Sequence, residues 1–230
     1  MVPGTAPTSD LLAFPRPSVA VDTAVLTVAP RADPAANQPV LQLQVLLVRR
    51  DGADGRATWS LPGTFLHERE RLQDAVMRSL ATKVGIRQRA RTTEIGVFDD
   101  PYRDDRGWVL SAAHLAALPL EAILPAVEAS DGGLRLVPAS RPPSLLWDHG
   151  AIVRRARDEL QRHYTRHPDP FTLLGSAFTM TELRQVHEAV LSRVQQKDTF
   201  RRLMEPRLRA TSRMSSGTVG RPSQVYGRKR

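Results

Sequence analysis

The chain lacks several features that mark whole classes of protein. It has 230 residues and no cysteine, which excludes disulfide bonds and thiolate metal sites and favours a reducing compartment, so we expect a cytoplasmic protein. No apolar run is long enough to span a membrane. Residues 1–17 carry no basic region ahead of an apolar one, so we expect a flexible tail there and not a signal peptide. The remaining length suffices for one or two domains with a hydrophobic core.

Acidic residues are scarce in the last third of the chain. Between positions 165 and 230 there are thirteen basic and five acidic residues, a difference of +8 in a chain whose formal net charge is +9. The first 164 residues are therefore close to neutral, and the pattern indicates a neutral module joined to a basic one. We expect the basic module to bind a polyanion. The alternative is a solvated basic surface without a partner.

Apolar patterning before position 165 predicts a domain of mixed strands and helices, in the α+β class. Alternating and Val-rich runs predict strands over 19–28, 40–48, 92–98 and 108–118. An apolar stripe predicts a helix over 148–164. We expect a turn over 51–58 and loose structure over 120–143. Two prolines make 166–170 a candidate hinge before the basic module.

The most informative motif lies between positions 61 and 86. It consists of Leu61-Pro62-Gly63-Thr64-Phe65, then Glu70, then Arg-Ser-Leu-Ala-Thr-Lys-Val-Gly-Ile at 78–86. This resembles the Nudix box, which is Gly, five residues, Glu, seven residues and Arg-Glu-U-x-Glu-Glu-x-Gly-U, where U is aliphatic. The matching positions are Glu70, Arg78, Leu80, Gly85 and Ile86. The box glycine is replaced by Thr64, and the three box glutamates are replaced by Ser79, Thr82 and Lys83.

These replacements remove the metal-binding chemistry of the motif. Positions 79, 82 and 83 are spaced i, i+3 and i+4, so they share one face of a helix. Carboxylates there would hold Mg²⁺ against a diphosphate, whereas hydroxyls are poor ligands and Lys83 repels a dication. We therefore expect no metal site, no catalytic residue and no cofactor. The apolar stripe that maintains the helix is Leu72, Val76, Leu80 and Val84. The alternative is an ordinary amphipathic helix that matches the motif by chance.

The segment after position 177 has the element order of a winged helix. Thr179 and Glu182 have the spacing of a capping box, and an apolar stripe follows them. The stripe consists of Leu183, Val186, Val190 and Leu191. A second, shorter helix is predicted over 199–204. Strands over 207–211 and 223–226, joined by a glycine-containing loop, complete the order helix, turn, helix and β-hairpin.

The shorter helix is expected to be the recognition helix of a DNA-binding domain. Such a helix lies in the major groove, where arginines bond guanine edges, while cations of the hairpin contact phosphates. Phe200, Leu203 and Met204 are expected to face the core. The residues expected to contact DNA are Lys197, Thr199, Arg201, Arg202, Arg213 and Arg221. The alternative is a small helical subdomain with solvated arginines.

Three further segments complete a family resemblance. They are Asp-Pro-Tyr-Arg-Asp-Asp-Arg-Gly at 100–107, Leu-Trp-Asp-His at 146–149, and the winged-helix segment with Phe-Arg-Arg at 200–202 and Gly-Arg-Pro at 220–222. Together with the box, they resemble the NrtR family of Nudix-related transcriptional regulators. The resemblance implies a Nudix-like mixed β-sheet sandwiched by helices over 18–165, followed by a winged helix-turn-helix domain over 166–230.

The resemblance also implies a function. It suggests a homodimeric repressor, often of NAD-biosynthesis genes, that binds double-stranded operator DNA, associates with the nucleoid and senses ADP-ribose or a related nucleotide. The replaced box residues favour a domain that binds this effector without cleaving it. The residues expected to bind the effector are the cations on or beside the cleft, namely Arg49, Arg50, Arg78, Lys83, Arg103 and Arg106.

Other conspicuous residues have structural explanations, and two competing functions stay open. Asp148 is expected to cap the following helix and His149 to make a structural hydrogen bond, and Trp59 and Trp108 are expected in the core. The first competing function is a Nudix-type nucleoside diphosphate hydrolase whose metal ligands come from elsewhere. Its candidate ligands are Glu68, Glu70, Asp99 and Asp100. The second is a scaffold that binds neither DNA nor nucleotide.

Overall fold

The computed structural model describes residues 13–31, 40–52, 56–88, 90–215 and 222–229. Before position 165 its elements are β1 (Ser18–Arg31), β2 (Val40–Asp51), β3 (Ala57–Ser60), β4 (Gly63–Phe65), α1 (Leu72–Val84), β5 (Thr92–Phe98), β6 (Val109–Ala117), α2 (Leu124–Glu128), β7 (Leu134–Pro138) and α3 (His149–Tyr164). After it they are β8 (Phe178–Thr179), α4 (Met180–Leu191), α5 (Lys197–Met204), β9 (Leu208–Met214) and β10 (Gln224–Arg228). Short 3₁₀ turns lie at Leu120–Ala122 and Glu205–Arg207.

The first seven strands form one mixed sheet. Its order is β3-β2-β1-β6-β5, with β4 paired to β1 and β7 paired to β2, and β1 runs parallel to β6 but antiparallel to β2. Side chains alternate across β1, so Val21 and Val25 share a core with α1, whereas Ala24 and Leu26 share a core with α3. Burial on both faces explains the nearly continuous apolar run of this strand. A mixed sheet between helices confirms the α+β prediction.

Most predicted elements of this sheet domain are present, but two expectations are wrong. The segment 120–143 is not loose, because it contains α2 and β7, and Val137 of β7 pairs with Val45 of β2. Each of these elements has only five residues, too few to establish a periodicity. Trp108 lies outside the core with 47 % of its surface exposed, whereas Trp59 is partly buried against the core.

The C-terminal elements form the predicted winged helix. Strands β8, β10 and β9 make a three-stranded sheet, and Phe178, Leu183 and Phe200 meet in a small core beside it. The predicted capping box is present, because the Thr179 hydroxyl accepts from the Glu182 N–H while the Glu182 carboxylate accepts from the Thr179 N–H. Leu203 was expected in this core, but it is 50 % exposed. Position 203 lies about 100° around the helix from position 204, at the edge of the buried face, so Leu203 is half exposed.

Helix α4 joins the winged helix to the sheet domain. Its Leu183 belongs to the small C-terminal core, whereas Val186 and Val190 pack into the large core beneath α3. The candidate hinge at 166–170 also makes firm contacts. The buried Asp169 carboxylate accepts from the Tyr164 hydroxyl at 2.7 Å and from Arg228 Nη1 at 2.6 Å, which ties α3 to β10. No helix in the described ranges is long and apolar enough to cross a membrane.

Candidate functional site

Arg78 of the degenerate box holds the loop that precedes its own helix. Its Nε and Nη2 atoms donate to the two Glu70 carboxylate oxygens at 2.7 Å each, and it also donates to Thr64 Oγ1 at 3.0 Å and to the Phe65 carbonyl at 2.8 Å. The hydrogen bonds from Arg78 and from the His67 N–H lower the pKa of Glu70 to about 2. Glu70 and Arg78 therefore stabilise the loop that contains Thr64 and Phe65. Effector binding by Arg78 stays a prediction.

The three substituted box positions have different environments. Ser79 is fully buried, and its hydroxyl has no hydrogen-bond partner among the described residues. Thr82 and Lys83 are exposed in the last turns of α1, where the Thr82 hydroxyl donates to the Arg78 carbonyl at 2.8 Å. Lys83 therefore presents its charge to solvent at the helix C-terminus, where a cation is stabilised by the helix dipole.

Arg103 lies at the centre of a buried charged network beneath the loop. Its guanidinium is 2 % exposed and binds the Asp148 carboxylate through Nε at 2.8 Å and Nη2 at 2.6 Å. Nη2 also reaches Asp22 Oδ2 at 3.3 Å, and the Ser111 hydroxyl donates to the same Asp22 oxygen at 2.7 Å. Arg103 is consequently buried and satisfied by two carboxylates, and effector binding by Arg103 stays a prediction.

Asp22 was not identified from the sequence, although one signal for it was available. It is a single carboxylate within the apolar strand β1, and a buried charge requires a partner. Burial alone would raise the pKa of Asp22, but the neighbouring His149, Ser111 and Arg103 side chains outweigh that effect and lower it. A Cβ at position 63 would lie 2.1 Å from Asp22 Oδ1, so this close approach requires a glycine at position 63.

The Leu-Trp-Asp-His segment behaves partly as expected. His149 Nδ1 accepts a hydrogen bond from the Leu61 N–H at 2.8 Å, which confirms its structural role. The proton of the neutral ring therefore sits on Nε2, 3.3 Å from Asp22 Oδ1. Asp148 precedes the helix but its side chain makes no capping hydrogen bond. The capping expectation is wrong because this carboxylate is used by Arg103 instead.

Arg106 lies between two aromatic rings. Its guanidinium carbon is 4.4 Å from the Trp147 ring centroid and 5.2 Å from that of Phe65. The buried Asp104 carboxylate accepts from Arg106 Nε at 2.8 Å and from Nη2 at 2.6 Å, which fixes the guanidinium plane. Trp147 in turn donates through Nε1 to Asp105 Oδ1 at 3.0 Å. An oriented cation beside the exposed Phe65 and the partly buried Trp147 suits a planar, anionic ligand.

The remaining predicted effector residues lie apart from this group. Arg49 is exposed and pairs with Asp51 at 2.9 Å, whereas Arg50 donates to the Ser60 hydroxyl at 3.2 Å. No contact among the described residues joins either of them, or Lys83, to the group around Arg106. Arg78 and Arg106 do meet at Phe65, because Arg78 bonds its carbonyl and Arg106 stacks on its ring.

The carboxylates of the competing hydrolase hypothesis do not converge. Glu68 is exposed beside Arg69, Glu70 is occupied by Arg78, and Asp100 accepts from the Tyr102 N–H at 2.8 Å. Across the described ranges no group of three His, Asp or Glu side chains is arranged to hold a metal ion.

Helix α5 presents a charged face to solvent. Phe200 and Met204 anchor it in the small core, while Lys197, Thr199, Arg201 and Arg202 are exposed. Gln196 caps its start, because the Gln196 side-chain oxygen accepts from the Thr199 N–H at 2.5 Å. Arg201 is ion-paired with Glu205 at 3.0 Å, but Arg202 has no ion pair within the described residues. The predicted recognition helix is thus anchored on one side and basic on the other.

The hairpin adds a second basic element beside α5. Arg209 and Arg213 are exposed on β9, and β9 pairs with β10 across a register shift between Gln224 and Tyr226. The Tyr226 hydroxyl donates to Glu205 Oε1 at 2.5 Å and so braces the end of α5 against the hairpin. Arg221 lies outside the described residues, and its role stays a prediction.

Comparisons with known proteins match both parts of the chain. Residues 33–155 match the NUDIX domain, and residues 170–227 match the NrtR DNA-binding winged helix domain. Over 218 residues, 93 % of this chain and 82 % of its relative, the chain is 27 % identical to the "ADPR responsive transcriptional repressor NtrR" of Acinetobacter baylyi. Over 113 residues, 48 % of this chain and 64 % of its relative, it is 26 % identical to the ADP-ribose pyrophosphatase of Methanocaldococcus jannaschii.

A solved structure reproduces the whole architecture. The structure of Shewanella oneidensis NrtR complexed with a 27mer DNA superposes with a TM-score of 0.74 at 29 % identity, covering 92 % of this chain and 93 % of that one. The two domain matches follow one another along the chain in the order of the β1–α3 unit and the winged helix. The chain therefore belongs to the Nudix family, and its Nudix domain is followed by a winged helix that matches the NrtR DNA-binding domain.

Proposed function

We propose that this chain is a DNA-binding transcriptional repressor whose Nudix domain senses a nucleotide-type effector. The observation that carries the proposal is the exposed basic face of α5 beside the basic strand β9, both fixed to a small apolar core. Arginines on such a helix suit guanine edges, and those on the hairpin suit phosphates. Relatives described as an ADPR responsive repressor and as a complex with DNA support the same function.

The effector is proposed to bind at the mouth of the Nudix cleft. Arg106 is held by Asp104 between Phe65 and Trp147, so a cation and two aromatic faces are already in place. ADP-ribose carries an adenine ring and a diphosphate, which match aromatic stacking and a guanidinium respectively. The proposed boundary between the effector domain and the DNA-binding domain lies at residues 165 and 166.

The Nudix domain is proposed to bind this effector without hydrolysing it. Diphosphate hydrolysis in this fold would require carboxylates to hold a cation against the substrate. The box positions carry Ser79, Thr82 and Lys83, and the retained Glu70 is engaged by Arg78. Hydrolysis of ADP-ribose to AMP and ribose 5-phosphate with magnesium or manganese, at on the order of 1 per second or faster, would contradict this proposal and favour the hydrolase.

The protein is proposed to act as a twofold dimer. Helix α5 has eight residues and is therefore about 12 Å long, which reaches only a few base pairs. Two copies spaced by about one turn of DNA supply the missing contacts and require a near-palindromic operator. A monomer that protects a single, non-repeated half-site in footprinting would contradict the dimer.

One experiment tests the repressor and effector together. An electrophoretic shift is measured with DNA from upstream of the protein's own gene, with and without ADP-ribose. We expect a specific shift that ADP-ribose alters, loss of the shift in Arg213→Ala, and loss of the ADP-ribose response in Arg106→Ala. Arg141→Ala, an exposed arginine outside both sites, is the matched control and should behave as wild type. Equal binding of operator and random DNA by all variants would refute the proposal.

A further inference from the structure

A second basic site lies where the Nudix domain meets the winged helix. It is a cavity of about 580 Å³, within the size range of small-molecule sites. Its lining includes Arg91 from the segment before β5, His163 from α3, and Arg207 and Lys229 from the ends of the hairpin strands. The Nudix cleft around Arg106 contributes no residue to it, so the two sites are separate.

The cations of this cavity are fixed in place without being neutralised. Arg91 Nη1 donates to the Pro170 carbonyl at 2.8 Å, and Lys229 Nζ donates to the Pro206 carbonyl at 2.6 Å. Arg207 donates to the Arg166 carbonyl. A carbonyl acceptor orients a cation but leaves its full charge available, and no described carboxylate forms an ion pair with any of these three side chains. Their positions are therefore set in advance for an anion.

The lining of the cavity contains one carboxylate, that of Asp169, and it already accepts several hydrogen bonds. Asp169 accepts from Arg228 at 2.6 Å and also from the Tyr164 hydroxyl and two backbone N–H groups, those of Leu173 and Leu174. With Arg228 paired, the lining keeps the charges of Arg91, Arg207 and Lys229 as an excess.

The surroundings of the cavity lower the pKa of His163. Its Nε2 lies 3.1 Å from Glu159 Oε1, a neighbour that would favour the charged ring. Burial nevertheless lowers the pKa of His163, and the positive charges of Arg91 and Arg162 lower it further. The neutral imidazole is thus favoured beside the cavity, and its single N–H faces Glu159, so His163 adds no positive charge to the lining.

We propose that this cavity binds a small phosphate-bearing anion, such as the diphosphate group of a nucleotide, that bridges the Nudix domain and the winged helix. The volume, the three carbonyl-oriented cations and the contribution of both modules carry the assignment. A bound anion would draw Arg91 towards Arg207 and Lys229 and so favour one arrangement of the winged helix on the Nudix domain. This cavity is separate from the proposed effector site around Arg106. Anion binding to it does not depend on whether ADP-ribose controls DNA binding.

The test is calorimetric titration of the full chain with inorganic pyrophosphate at constant ionic strength set by chloride. We expect saturable binding to wild type, weakened about tenfold or more in Arg91→Gln and in Lys229→Gln, since each loses a charge-assisted hydrogen bond. Arg87→Gln is the matched control, because Arg87 is exposed in the same connection between α1 and β5 and does not line the cavity. Pyrophosphate should also raise the melting temperature of wild type and Arg87→Gln more than that of Arg91→Gln.

Three results would overturn the assignment. The first is absence of saturable binding to wild type. The second is unchanged pyrophosphate affinity in both cavity variants, which would place the anion elsewhere. The third is that wild type does not bind pyrophosphate while Arg91→Gln and Lys229→Gln bind DNA more weakly. The cavity would then be part of the DNA-binding surface of the protein. Melting curves without pyrophosphate verify that each variant is folded. If either Arg91→Gln or Lys229→Gln does not fold, the pyrophosphate affinity of the other variant is the deciding measurement.

Discussion

Replacing Arg103 by methionine tests whether the buried charged network supports the Nudix fold. The substitution keeps the aliphatic bulk but leaves the Asp22 and Asp148 carboxylates without their shared cation, and the lost guanidinium is only 2 % exposed. Removing one partner of a buried ion pair costs about 3–5 kcal/mol. At about 2–4 °C per kcal/mol for a chain of this size, the melting temperature should fall by about 6–20 °C. Thermal unfolding followed by circular dichroism measures this fall.

The pH dependence of the same variant separates lost charge from lost packing. In wild type the pKa of Asp22 is lowered, so its contribution to stability is present above the unfolded pKa near 3.8 and is lost as pH falls through the lower folded value. Without Arg103 the buried Asp22 carboxylate takes up a proton more readily, so the gap in unfolding free energy between wild type and Arg103→Met should narrow from pH 7 to pH 4. Arg103→Lys should recover only part of the loss, because a single ammonium cannot bond Asp148 bidentately.

A substitution at an exposed arginine provides the control for Arg103→Met. Arg141→Met, at an exposed position, should change the unfolding free energy by no more than about 0.5 kcal/mol. If Arg103→Met and Arg141→Met had the same melting temperature, the charged network around Arg103 would not contribute to stability. A gap in unfolding free energy that stayed constant from pH 7 to pH 4 would show that the loss comes from packing around Arg103 and not from its charge.

The longer elements were predictable because they carry a repeated pattern. The strands β1, β2, β5 and β6 and the helices α1, α3 and α4 show alternation or a 3.6-residue stripe over enough positions to be recognised. The start of α4 was predictable from the capping box at Thr179 and Glu182, because its hydrogen bonds form within four consecutive residues. Elements as short as α2 and β7 depend on their neighbours in the fold, and local sequence does not encode those neighbours.

The contacts of the cleft were not predictable, because they join residues far apart in the chain. Arg103 meets Asp22 across 81 positions, and Ser111 meets the same carboxylate across 89. Spacing placed Arg103 and Arg106 in one segment and suggested a common role. The structure separates them, since Arg103 is buried between two carboxylates while Arg106 lies more than half exposed against aromatic rings. Only the fold decides which of two neighbouring arginines is buried and which is exposed to solvent.

The remaining predictions concern the winged helix. Phe200→Ala should destabilise it by about 3–5 kcal/mol and abolish DNA binding by unfolding, visible in circular dichroism, because a buried aromatic anchor is lost. Burial lowers the pKa of His187 to about 4, and the ring donates to the Pro168 carbonyl. The stability that the neutral ring provides is thus complete above the unfolded pKa near 6.5 and declines as pH falls towards 4, and His187→Gln should flatten that slope in denaturant titrations. On operator DNA, Arg202→Ala should cost about 1–3 kcal/mol and much less on random DNA, because Arg202 is exposed on α5 and its loss removes a base contact. Arg201→Ala should cost less than Arg202→Ala, since Arg201 is already ion-paired along the helix. Binding of both variants to both DNAs across a salt series measures the difference, and equal losses on operator and random DNA for Arg202→Ala would show that this arginine contacts phosphate and that α5 does not distinguish bases through it.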